Sequence, residues 1–276
     1  MGTPTISLLF FALAHGVLSP ISANLGPSAP LDRGYRQMYN LEFRDAHGTF
    51  QEYIKEHPED PFGPTSDGAA YLFDEFDRLG VLQTEFFMDD EKFKGREKPS
   101  PDPGVREKFH GAIARSQRLA DAALHRSPHD RNALFATVLN LGLEADYLSL
   151  VERRDMAALA YTKRAGVAAE KLLAIDSTCY DAYLATGFEN YILGLNPAPV
   201  RWLLHLYGAE TDKESGIQKL QLTATKGHYL LPFARLLLAV AALRDKDRNQ
   251  AKDLLENLAQ EFPHNQLYRR ELARLP

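Results

Sequence analysis

Small and apolar positions recur along this chain in one spacing. Ala46, Phe50, Tyr53 and Pro58 step by four, three and five, and Ala251, Leu255, Leu258 and Pro263 repeat those steps near the other end. Ser116, Ala120, Ala123 and Pro128 do the same, as do Ala165, Ala169, Leu172 and Ser177, and a weaker fifth copy begins at Gly216 with Leu220. A small residue with apolar residues four and seven further on describes one stripe of an α-helix, and the proline or serine beyond it ends that helix in a turn. The pattern therefore predicts helices and no strands, stacked as repeated units.

Between these stripes the chain supplies candidate first helices. Leu31 to His57 reads as a whole helix pair, closed by Pro58 and Pro61, which remove donors and push the preceding residues out of the α region. A second unit opens at Gly68–Phe73, and its partner helix is expected only near Val105, after the loop Lys98–Gly104, which its prolines keep from being helical. A third starts at Asn132 with Leu134, Phe135, Val138 and Leu139, a fourth at Tyr180, and the last pair is expected over Pro232–Arg244 and Asn249–Phe262. The markers Ala46, Ser116, Ala165, Gly216 and Ala251 lie 70, 49, 51 and 35 residues apart. The excess over a compact helix pair falls between first and second helices, where insertions project from a stack without breaking it.

The four clear stripes resemble the second helix of the tetratricopeptide repeat (TPR), whose pattern at those offsets is small, apolar or aromatic, small, proline. The resemblance covers roughly Leu31 to the C-terminus. Leu238–Ala239 match the Leu-Gly/Ala signature of the first helix, whereas Arg235 stands where the family has an aromatic residue. The stretch Ile192–Leu238 is also similar to the divergent repeat family that includes the eukaryotic TPR protein 39 group. The resemblance implies an all-α, right-handed α-solenoid of about five irregular helix pairs over 31–276. It further implies a non-catalytic protein-interaction scaffold that docks a protein or peptide segment on its concave face. The inward positions of first helices in that family fall here on Tyr35, Met38 and Tyr39 in the first unit and on Asp181, Phe188 and Tyr191 in the fourth.

Composition narrows the chemistry. A net charge of −5 without a basic stripe argues against nucleic-acid binding. Cys179 stands alone, so no disulfide framework or thiolate metal site is expected, and it reads as a small buried hydrophobe. His125 and His129 are four apart, but Pro128 ends the helix that would align them as metal ligands. Asp74 and Arg78 have the spacing of a helix-surface ion pair. No nucleophile or phosphate-loop motif occurs, and neither a cofactor nor a catalytic residue is expected.

The first 23 residues carry no Asp, Glu, Lys or Arg, and Ile6–Leu18 is nearly all apolar but short for a bilayer span. With Ile21-Ser22-Ala23 before a cut, residues 1–23 read as a secretory signal and 24–30 as a spacer, which predicts an exported protein, periplasmic or extracellular. Phe86–Met88 and Val200–Tyr207, with Phe87 and Trp202 at their centres, are apolar inserts expected either to fold onto the stack, or to cap a partner groove or touch a membrane. The alternatives to the scaffold are a membrane-associated helical protein that keeps its N-terminal anchor, and an enzyme whose site is dispersed in sequence.

Overall fold

The computed structural model describes residues 29–81, 100–194 and 212–275. The calls on the N-terminal signal and spacer, on Phe86–Met88 and on Val200–Tyr207 lie outside the described residues. Among the described residues eleven α-helices follow one another: α1 (Ala29–Tyr39), α2 (Phe43–Glu56), α3 (Phe62–Leu79), α4 (Pro103–Arg126), α5 (Arg131–Asp146), α6 (Asp155–Ile175), α7 (Tyr183–Gly194), α8 (Lys213–Lys226), α9 (Leu231–Arg244), α10 (Arg248–Glu261) and α11 (Gln266–Arg274). A π-helical turn, Tyr147–Val151, links α5 to α6, and a 3-10 turn, Tyr180–Ala182, precedes α7. Each helix packs on the next from α1 to α11, and no strand occurs among the described residues.

The expected stripes lie on α2, α4, α6, α8 and α10, and their residues are the deepest on each helix. Ala46, Phe50, Ser116, Ala120, Ala169, Leu172, Leu220, Ala251, Leu255 and Leu258 are all fully buried. After each stripe the backbone does the same thing. The N–H of His57, Ser127, Asp176, Gly227 and Phe262 donates to the carbonyl four residues back, at 2.8 to 2.9 Å. In four of these turns the residue three further on closes the loop: Asp60, Asp130, Cys179 and Asn265 donate back to His57, Ser127, Asp176 and Phe262. Asp60, Asp130 and Asn265 then accept a backbone N–H from the helix that follows, so one side chain both ends a unit and caps the next. The turn after α8 differs because the N–H of Leu230 is taken by Asp181.

Several local expectations are corrected. The second unit begins at Phe62, ahead of Gly68, and Pro103–Gly104 belong to the first turn of α4, where Pro103 fits at a position whose N–H has no helical acceptor and Asp102 caps it through Gly104 N and Val105 N. Arg78 pairs with Glu75 rather than Asp74, because Glu75 is buried and also accepts the Asp102 N–H, which fixes its carboxylate toward that guanidinium. α11 was not expected. Its Leu267 and Tyr268 are buried in the same core as Leu31 and Tyr35 of α1.

That last contact closes the chain on itself. Tyr39 Oη donates to the Tyr229 carbonyl at 2.9 Å, and Asn265 Nδ2 donates to the Tyr39 carbonyl at 2.8 Å. The Tyr35 and Tyr229 rings stand 4.6 Å apart, and Tyr39 meets Phe262 at 5.5 Å. His264 pairs with Glu42, and His228 with Asp32. In an open stack each unit touches only its neighbours; here the first unit touches the last.

Candidate functional site

The first helices of the five pairs, α1, α3, α5, α7 and α9, all send side chains to one central chamber of about 440 Å³, joined by one face of α6. Its wall is mostly apolar. Leu143, Leu159, Leu184, Phe188, Phe233 and Leu237 line it and are only partly buried, so the surface they leave uncovered faces the chamber. Sequence explains the wall: α5 and α9 are apolar almost all round, with one side packed on neighbouring helices and the other left for the interior. The segment Arg131–Val151, α5 with its π turn, is long and apolar enough to cross a membrane, but most of its apolar stretch is buried within the fold, which accounts for its composition.

All six residues expected on the concave face line this chamber. They do not present one open docking surface. Tyr35, Met38, Tyr39 and Asp181 are buried; Tyr35 and Tyr39 hold the ends together, and Asp181 fixes the turn before α9. Tyr39 makes the bond to Tyr229, Tyr35 stacks between Phe62 and Tyr229 and receives a bond from Ser66 Oγ, and burial raises both phenol pKa values well above the usual range. Asp181 accepts the N–H groups of His228, Tyr229 and Leu230 at 2.8, 3.0 and 3.1 Å. Burial raises its pKa, and those three donors work against the rise. Phe188 and Tyr191 on α7 complete the set. The Tyr191 hydroxyl is buried with no hydrogen-bond partner in good geometry; burial raises its pKa and the charge of Arg244 pulls it back.

Sequence reasoning passed over the polar residues of the chamber. Asp146 ends α5 and faces the interior, where burial pushes its carboxyl up to about 7. Part of its surface is accessible, and it lines the chamber. Asp155, exposed at the start of α6, marks the rim on the same wall. Gly142 lies one turn before Asp146, and a Cβ built there would meet nothing within 4 Å. The available signal was an acid and a glycine four apart in an otherwise apolar helix.

Two other polar clusters are sealed. Thr65, Ser116 and Asn140 form a closed, fully buried ring of hydrogen bonds at 2.7 to 3.0 Å that joins α3, α4 and α5. His47 Nδ1 lies 2.6 Å from Asp67, the pairing that orients a catalytic imidazole, but His47 Nε2 is buried and its ring is covered by Tyr71 with centroids 3.9 Å apart. A substrate proton has no path to that nitrogen. Cys179 is buried and its thiol is pushed up to about 12, chiefly by that burial, which keeps it a poor nucleophile.

No family model, no curated protein and no solved structure matches this chain.

Proposed function

We propose that the chain is a TPR-like α-solenoid curled until its ends meet, and that it is a non-catalytic binding protein whose ligand is an apolar molecule held in the central chamber. The uncovered apolar wall supports this most directly. Leu143, Phe188, Phe233 and Leu237 turn hydrophobic surface toward a space of about 440 Å³, the size class of small-molecule sites. Covering that surface is favourable at about 25 cal/mol per Å² of apolar area.

Docking of a partner segment on the concave face, as the family resemblance suggests, would need that face open along its length. The bonds from Tyr39 to Tyr229 and from Asn265 to Tyr39 close it at the ends, which favours a small enclosed ligand over an extended chain. The export signal belongs to the same proposal, and a mature N-terminus at Asn24 by mass spectrometry is its check.

The test uses Nile red, a neutral dye that fluoresces in apolar surroundings, with the intact chain and a Gly142→Leu variant, whose Cβ meets nothing within 4 Å and whose longer side chain takes up chamber space. Saturable uptake by the natural chain, weakened about tenfold or more in the variant, is expected. A folded natural chain that takes up no dye, or a variant that binds equally well, overturns the proposal.

A further inference from the structure

Asp146 differs from the acids that hold the fold together. Asp181, in the same wall, spends its carboxylate on three backbone N–H groups. Asp176 is paired with Arg131, Asp67 with His47 and Gln51, and Glu75 with Arg78. Among the described residues Asp146 has no hydrogen-bond or ion-pair partner, and it stands partly accessible on the apolar wall of the chamber. A carboxylate flanked by an apolar wall and paired with no described group is poorly placed for the fold, and an acid kept in such a place is explained when something absent from the fold completes it.

Its surroundings narrow what that something is. The space before it is kept clear by Gly142, on the same face of α5 one turn away. Gly48 and Gly111 are equally free of neighbours at the Cβ position, but of the three it is Gly142 that lines the chamber. Directly after Asp146 the helix widens into the π turn Tyr147–Val151, a feature that recurs beside binding sites. The second acid of the chamber wall that is not tied up, Asp155, stands at the rim on the same side of the sequence turn. Arg244, the cation of the wall, is already engaged and acts on the Tyr191 phenol. Among the described residues, the chamber wall therefore offers uncompensated negative charge at one place and hydrocarbon elsewhere.

From this arrangement we infer that the chamber takes a single-chain cationic amphiphile, a long-chain amine whose ammonium head pairs with the Asp146 carboxylate beside Gly142 while its alkyl tail covers the apolar wall. The inference rests on the chamber being the binding site. It specifies the head group that the chamber selects. An ammonium ion supplies both the counter-charge and the N–H donors that Asp146 lacks, and a carboxylate head would meet like charge there.

The experiment compares three ligands of one chain length, dodecylamine, dodecanol and dodecanoate, below their aggregation concentrations and at about pH 8, where the amine is still protonated. Affinities for the natural chain, Asp146→Asn and Gly142→Leu are measured by calorimetry, with thermal melts to verify folding. Dodecylamine is expected to bind the natural chain about tenfold or more tightly than dodecanol, with dodecanoate weakest. Asp146→Asn is expected to erase the preference for amine and keep the binding of dodecanol, whereas Gly142→Leu weakens all three. Equal affinity for amine and alcohol, a preference for dodecanoate, or an amine preference that survives in a folded Asp146→Asn overturns the head-group assignment and leaves the chamber as the site. Binding of none of the three by the natural chain removes the chamber itself.

Discussion

At the scale of single residues, two aspartates of one chamber wall should behave oppositely. Asp181 is satisfied by three backbone donors, so Asp181→Ala leaves those N–H groups unpaired in the interior. At about 1 to 3 kcal/mol for each orphaned buried group, a loss of roughly 3 kcal/mol or more is expected in urea denaturation. Asp146 is unsatisfied, and its folded pKa of about 7 stands above the unfolded value near 4. The folded state therefore holds a proton that the unfolded state has released, and stability falls as pH rises from about 4 to about 7, with the full penalty above that window. Asp146→Asn removes the penalty. Its melting temperature should match that of the natural chain at about pH 4 and exceed it above about pH 7, the upper bound being about 4 kcal/mol at 1.4 kcal/mol per pKa unit, reduced by whatever water the chamber admits. Equal melting temperatures at about pH 8 would show that the carboxyl is solvated after all.

At the scale of helices, two glycines decide between close packing and open space. Gly216 occupies the small position of the stripe on α8, and a Cβ there would fall 2.6 Å from Tyr191 N and 2.8 Å from the Gly187 carbonyl oxygen on α7. Both are backbone atoms, so no rotamer change relieves the contact. Gly216→Ala should push α7 and α8 apart and destabilise by about 1 to 3 kcal/mol, as overpacking does. Gly142 in α5 has nothing within 4 Å of its Cβ position, so Gly142→Ala should stabilise by about 0.5 to 1 kcal/mol through helix propensity alone. Parallel urea titrations check both signs. The same contrast explains why the fifth stripe was faint in the sequence. Ala46, Ser116, Ala165 and Ala251 sit at a helix contact that tolerates one carbon, whereas the α7–α8 contact tolerates none. Ser116 in turn departs from alanine because its hydroxyl joins the ring with Thr65 and Asn140.

At the scale of the whole molecule, contact between first and last units changes how the array should unfold. Open repeat arrays behave as chains of neighbours, and their ends fray independently. In this chain Asn265 caps α11 through Leu267 N and reaches the Tyr39 carbonyl 226 positions away in sequence. Asn265→Ala should therefore cost about 1 to 2 kcal/mol and raise amide exchange in α1 as well as in α11. Faster exchange confined to α11 would show that the ends are held by other contacts, such as Tyr35 on Tyr229.

Helices, their pairing and the turns between them were determined by local sequence, because a stripe at steps of four and three followed by a proline or an Asx cap acts within about 15 residues. Those signals placed Ala46, Ala120, Leu172 and Leu255 in the core, and the resemblance to the repeat pattern directed Tyr35, Met38, Tyr39, Asp181, Phe188 and Tyr191 to the inner face. Local spacing could not say whether that inner face is a groove or a chamber, since the answer lies in contacts between residues more than 180 positions apart, such as Tyr39 with Tyr229. Nor could it separate Asp181 from Asp146. Both are acids on apolar helical stretches, and only the folded arrangement brings three N–H groups to one and an open space to the other.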